Sequence, residues 1–220
     1  MLSYPPKAGD KFSSTNAETY QIVRLISNGA FGYVFEAIAQ STKQVVVIKI
    51  PHIDFKNYSE EQIRERIGMV LASFENEINA SQRLDDLEFI AKSFDCGLPR
   101  FHQGQNGATR EFLLPFIVQK HVVGQTLTSW CAAINPGETT FVGLSSVSEW
   151  MRIASTLLET VSKMHERRYA HLDIWPDNLL ISDSGLYLID FGMSFDVASK
   201  LRLDSDFNQL HPWLPPERLR

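Results

Sequence analysis

The chain has 220 residues, 44% of them hydrophobic and 21% charged, with a formal net charge of −5. That length suits one domain with a real core or two small lobes, and the mild acidity argues against a surface built to hold nucleic acid, which is normally basic. The two cysteines, Cys96 and Cys131, make neither a metal-ligand spacing nor a disulfide framework, so a reducing compartment is expected.

Met1 to Asp10 carries Pro5 and Pro6 and no apolar stretch, so it does not read as a secretory signal. No apolar run reaches the length of a bilayer span, and no membrane partner is expected. Thr19 to Ile26 alternates apolar and polar residues, Ser27 to Gly32 is a turn, and Tyr33 to Ala39 alternates again. Gln44 to Ile50 is β-branched and nearly continuous, which completes an antiparallel meander. Ser59 to Leu84 has helical spacing through Ile63, Ile67, Val70, Leu71, Phe74 and Ile78, with an interruption at Gly68 left open. Strands are predicted at Ala91 to Asp95 and Phe112 to Gln119, with a solvated hairpin over Pro99 to Arg110.

After Gly124 the pattern turns helical. A short helix is predicted over Thr126 to Ala133, stopped by Asn135-Pro136-Gly137. Ser148 to Arg167 is an amphipathic helix with Trp150, Ile153, Leu157, Leu158, Val161 and Met164 on one face. Short strands follow at Leu179 to Ile181 and Leu186 to Ile189 around an Asp183-Ser184-Gly185 turn, and from Gly192 onward the chain reads as loop. A β-rich lobe at 1–119, a connector at 120–124 and a helical lobe at 125–220 are expected.

Four segments carry chemistry. Ser27-Asn28-Gly29-Ala30-Phe31-Gly32-Tyr33-Val34 has glycines that let backbone N–H groups approach phosphate oxygens. Lys49 lies in an apolar strand and must be paired or face a cleft. Glu75 and Glu77 are the carboxylates that could hold it, and Glu77 is preferred. In His171 to Leu180, Asp173 could accept the proton of an attacking hydroxyl and Asn178 could ligate a divalent cation. Asp190, between Ile189 and Phe191-Gly192, is a further candidate metal ligand.

In this order and spacing the segments resemble the eukaryotic-like protein kinases of Ser/Thr type. The turn resembles G-x-G-x-x-G-x-V with Ser27 at the first glycine, and Val46 to Lys49 resembles V-A-I-K. His171 to Asn178 resembles H-R-D-L-K-P-E-N, Asp190 to Gly192 is D-F-G, and Pro215-Pro216-Glu217 resembles A-P-E. The resemblance implies an α+β, bilobal protein-kinase-like fold. Its N-lobe would be a five-stranded antiparallel sheet plus the family's αC helix, and its mainly helical C-lobe would be reduced. It implies that Lys49 holds the α- and β-phosphates of ATP and pairs with Glu77, while Gly29 and Gly32 cover the phosphates. Asp173 would be the catalytic base, and Asn178 and Asp190 would bind Mg2+ or Mn2+. Gln119 would take the gatekeeper position, the backbone of Lys120 and Val122 would meet adenine, and Val34, Val47 and Leu180 would sandwich it.

Three departures stand out. Leu172 replaces the Arg that docks an activation-loop phosphate, which implies activity without that control, although Ser194, Ser199 and Ser205 remain as incidental autophosphorylation sites. Trp175 replaces the Lys near the γ-phosphate, a change that also fits a pseudokinase or a small-molecule kinase of the fructosamine and aminoglycoside type. The chain stops three residues after Glu217. That implies a minimal or truncated form, resembling bacterial effector kinases, with an activating or C-lobe-covering protein partner as one expectation. The acceptor would be a protein hydroxyl, and the location cytoplasmic, in the producing cell or in a host.

Overall fold

The computed structural model describes residues 2–29, 32–53, 58–105, 108–134 and 147–196. Pro215, Pro216 and Glu217, together with Ser199, Ser205 and Trp213, lie outside the described residues. The chain divides into two compact units. The first comprises Met1–Ile78 and Lys92–His121, and the second Asn79–Ala91 and the chain from Val122 onward. The division is not a single cut at 120–124, because residues 79–91 belong with the second unit.

The first unit holds β1 (Leu2–Ser3), β2 (Lys11–Ser13), β3 (Thr19–Gly29), β4 (Gly32–Ala39), β5 (Val45–Pro51), most of α1 (Glu60–Arg83), β6 (Ser93–Gly97), β7 (Arg100–Gln105), β8 (Ala108–Leu113) and β9 (Phe116–Lys120). Five strands form the expected sheet, which β2 extends to six in the order β2-β3-β4-β5-β9-β6; the strand expected over Phe112 to Gln119 is split, with Phe112 and Leu113 ending β8 in a separate sheet and only β9 joining this one. Its β3-β4-β5 meander follows from the alternation in the sequence. Phe35, Ala37, Val46, Ile48 and Ile50 point to one face and are buried there. The alternation of β3 fails beyond Ile22, where two register shifts against β4 leave Val23, Leu25 and Ile26 exposed. At the far end the two outer strands are tied. Thr15 N–H donates to the Cys96 carbonyl at 2.9 Å, and a Cβ on Gly97 would lie 3.0 Å from the Ser13 carbonyl oxygen. Asp95 is buried beside this junction and accepts from Tyr20 Oη at 2.7 Å, Asn16 Nδ2 at 2.9 Å and the Cys96 N–H at 2.9 Å.

The segment 99–110 is only in part the solvated hairpin expected. β7 and β8 pair as a hairpin, and β1 adds to it in parallel. Phe101 is fully buried among Tyr4, Phe12 and Phe112, because an aromatic on the inner face of a short hairpin is a large apolar area to cover.

Helix α1 begins with a reciprocal cap: Gln62 N–H donates to Ser59 Oγ at 3.3 Å, and Ser59 N–H donates to Gln62 Oε1 at 2.8 Å. Glu60 and Glu61 in its first turn and Arg83 in its last suit the helix dipole. It runs through Gly68 without a break. Val70 and Phe74 pack on Ile117 of β9.

The second unit holds β10 (Gln125–Thr126), α2 (Leu127–Ile134), α3 (Val147–Glu166), β11 (Tyr169–Ala170), a 3-10 turn at Pro176–Asn178, β12 (Leu179–Ser182), β13 (Gly185–Leu188), a second 3-10 turn at Phe191–Met193, and β14 (Phe195–Asp196). Its core joins Leu84, Leu87 and Ile90 to Ile153, Met164 and Leu188. Residues 89–91 run beside β13, with Leu188 N–H donating to the Phe89 carbonyl and Ala91 N–H to the Leu188 carbonyl. Helix α3 buries Ile153, Thr160 and Met164, but Leu158, expected on that face, is 71% exposed. It stands one residue, or about 100°, round the helix from Leu157. Among the described residues no helix is long and apolar enough to cross a membrane.

Candidate active site

In the first unit the candidates collect on one face of the sheet through register. Side chains alternate along a strand, so the face opposite Ile48 and Val46 belongs to Lys49 and Val47. Cross-strand pairing sets Ser27, Val34, Lys49 and Ile117 in one row. The next row is Glu36, Val47, Gln119 and Ser93. Lys49 Nζ forms an ion pair with Glu77 Oε1. Glu77 is one turn beyond Phe74 on the packed face of α1 and is 1% exposed, whereas Glu75 is exposed. Removing one partner of such a buried pair costs about 3–5 kcal/mol, because the other charge is left uncompensated. The Gln119 amide donates to Glu77 Oε2 at 2.8 Å and to Ser93 Oγ at 3.0 Å. Nothing in the spacing of the sequence marks Ser93; only its pairing opposite Gln119 brings it here.

The two glycines of the turn differ in kind. Gly29 and Gly32 are directly opposed at its base, while Ala30 and Phe31 lie outside the described residues. A Cβ on Gly32 would lie 2.3 Å from the Ile50 carbonyl oxygen, so close strand packing demands glycine there. A Cβ on Gly29 would meet nothing within 4 Å. The Lys120 N–H donates to the Lys92 carbonyl at 2.8 Å, and Lys120 is exposed.

In the second unit the turn from Trp175 to Asn178 closes through Asn178 N–H donating to the Trp175 carbonyl at 2.9 Å, with Pro176 starting the 3-10 turn. The Asn178 side chain turns back and donates to the Asp173 carbonyl at 2.9 Å and to Asp173 Oδ2 at 2.8 Å. Ile189 is held at both backbone groups. Its N–H donates to the Asn178 carbonyl at 3.0 Å, and its carbonyl lies 3.1 Å from His171 Nε2. His171 Nδ1 accepts the Asp173 N–H at 3.3 Å, so the ring is the Nε2–H tautomer and donates to Ile189. This buried imidazole, edge-on to Phe191 at 4.6 Å, ties the Asp173 segment to the residue before Asp190. Asp190 itself adopts φ 63° and ψ 76°, a left-handed conformation that Asp tolerates better than most residues, and accepts from the Gly192 N–H at 3.4 Å.

Among the described residues no cluster of three His, Cys, Asp or Glu could hold a metal ion. A site for Mg2+ beside nucleotide phosphates does not need one, since one or two protein oxygens suffice when phosphates and water supply the rest. Both N–H groups of the Asn178 amide face Asp173, which leaves its amide oxygen as the ligand atom, and Asp190 offers a carboxylate. The donor set fits.

A protein-kinase-domain family model matches residues 20–220. The chain belongs to the protein kinase family. Among kinases similar to it, the probable serine/threonine-protein kinase pknA2 of Bifidobacterium longum is 31% identical over 188 residues, covering 84% of this chain and 21% of that protein. Serine/threonine-protein kinase PrkC of Bacillus subtilis is 25% identical over 204 residues, covering 91% and 27%. Cyclin-dependent kinase F-3 of rice is 23% identical over 187 residues, covering 83% and 35%. The chain thus spans between 21% and 35% of the length of these kinases.

The departures from the kinase pattern have structural addresses. Leu172 is half-buried at φ 62°, and Trp175 is half-buried and extended before its turn. Leu180 is half-buried on β12 opposite Thr126 and Tyr187, and Val122 is half-buried just before β10. Ser194, one of the three serines that leave incidental autophosphorylation open, is not exposed. It is 3% exposed, and its Oγ donates to the Phe191 carbonyl at 2.6 Å, which caps the second 3-10 turn.

Proposed function

We propose that this chain is a protein Ser/Thr kinase that transfers the γ-phosphate of ATP to a protein hydroxyl. The observation that carries the reading is the pair of hydrogen bonds that the Asn178 amide donates to the Asp173 carbonyl and Oδ2, which orients a carboxylate to receive the hydroxyl proton. Asn178 and Asp190 would hold Mg2+ or Mn2+; the cation, when bound, would neutralise charge on the phosphates. Lys49, ion-paired with Glu77, would take the α- and β-phosphates, and Gly29 would allow backbone N–H groups to close on them. Val34 and Val47, on the Lys49 face, would line the adenine site, and the backbone of Lys120 would bond the base. These residues position and neutralise; none forms a covalent bond to phosphorus. Leu172 brings no cation to meet an activation-loop phosphate, which supports activity independent of that modification.

The test is transfer of labelled γ-phosphate from ATP with Mg2+ or Mn2+, comparing the native chain with Asp190→Ala and Asp173→Asn. Labelling of the chain or of casein that is lost in both variants supports the reading. ATP binding without transfer would favour a pseudokinase, and labelling of a sugar or amine alone would favour a small-molecule kinase.

A further inference from the structure

We infer that Gln119 and Ser93 act as a pair of positioning residues for Glu77, fixing its carboxylate in the orientation that serves Lys49. The inference rests on the proposed role of Lys49 and deepens it. Glu77 is held at both oxygens: Lys49 Nζ meets Oε1, and Gln119 Nε2 donates to Oε2, 2.8 Å away. The same amide nitrogen donates to Ser93 Oγ at 3.0 Å. Ser93 and Gln119 are opposed on neighbouring strands, so the sheet itself sets the amide plane. Glu77, Gln119 and Ser93 are all buried, so water is a poor substitute for any of these bonds.

A carboxylate held at one oxygen only can turn about its last torsion, which is broad. Held at both, it keeps Oε1 toward Lys49. With its two N–H groups directed at Glu77 and Ser93, Gln119 presents no donor to a nucleotide base. It therefore acts through Glu77 rather than by touching substrate. An apolar residue of similar size at 119 would keep the packing and lose the hold.

The experiment measures kcat and KM for ATP, with Mg2+ and casein as acceptor, on the full chain. The variants are Gln119→Met and Ser93→Ala, each in the native and in the Glu77→Gln background, with Lys49→Met as reference and melting temperature as the check on folding. Gln119→Met is expected to lower kcat about tenfold and Ser93→Ala about threefold, the coupling usual within one hydrogen-bond network. KM for ATP should change less than about twofold, and in the Glu77→Gln background both substitutions should cost almost nothing further. Equal losses in both backgrounds would overturn the inference, as would an unchanged kcat in Gln119→Met beside an inactive Lys49→Met. An active Lys49→Met, or a native chain that transfers no phosphate, would overturn the underlying reading and this one with it.

Discussion

Asn178 donates its side-chain amide to Asp173 twice, at the backbone carbonyl and at Oδ2, across a five-residue turn. One side chain thereby fixes both the position of the Asp173 backbone and the direction of its carboxylate. Asn178→Ala should lower kcat for phosphate transfer by about 10²–10⁴, the usual range for a lost acid–base contribution. Asn178→Asp should do no better, because a second carboxylate beside Asp173 repels it. Steady-state kinetics on both variants check this.

Gly32 and Gly29 should separate under alanine substitution. Gly32→Ala drives a methyl into the Ile50 carbonyl and should destabilise the chain by about 1–3 kcal/mol, as overpacking generally does. Gly29→Ala meets open space and should leave stability within about 0.5 kcal/mol. It should instead raise KM for ATP about two- to tenfold, the equivalent of one backbone hydrogen bond to phosphate. Urea unfolding and kinetics on the same preparations decide.

Gly68 is exposed, lies inside α1 and has no neighbour within 4 Å of a built Cβ. Gly68→Ala should stabilise the chain by about 0.5–1 kcal/mol through helix propensity alone. Denaturant midpoints measured at constant slope will show it.

Tyr20 donates to the buried Asp95 carboxylate, and burial first, then that bond, raises its hydroxyl well above the ordinary tyrosine value. Tyr20→Phe should cost about 1.5–3 kcal/mol near neutral pH, the range for a bond to a charged group. The folded-state value is raised, so the tyrosine's contribution is fully present below the unfolded value of about 10 and is lost as pH climbs above it. The stability gap between the native chain and Tyr20→Phe should therefore narrow above pH ~10. Unfolding curves at pH 8 and above test the sign.

Local patterns were legible where burial follows the element's own period. Val46, Ile48 and Ile50 alternate with Lys49 and told its face, and the three-four spacing from Ile63 to Ile78 told the helix that delivers Glu77. What the sequence hid depends on partners distant along the chain. Ser93 matters because strand pairing sets it opposite Gln119. Residues 79–91 join the second unit because Leu84 and Ile90 find their apolar neighbours there, which the composition of that stretch does not announce. Phe101 was lost in a polar segment, since one aromatic in a Gly-rich hairpin looks like decoration until Tyr4 and Phe12 close over it. Ser194 resembled a loop hydroxyl because the 3-10 turn it caps leaves no periodic trace.

The tie between Thr15 and Cys96 joins the outermost strands of the six-stranded sheet. Open sheets commonly offer a bare edge to which a foreign strand can add, and many proteins guard that edge with charge or proline. Here the two borders guard each other at one end. Self-assembly by edge-to-edge templating would first have to part Thr15 from Cys96 and Asn16 from Asp95, so conditions that loosen this corner should be the ones under which the protein begins to aggregate.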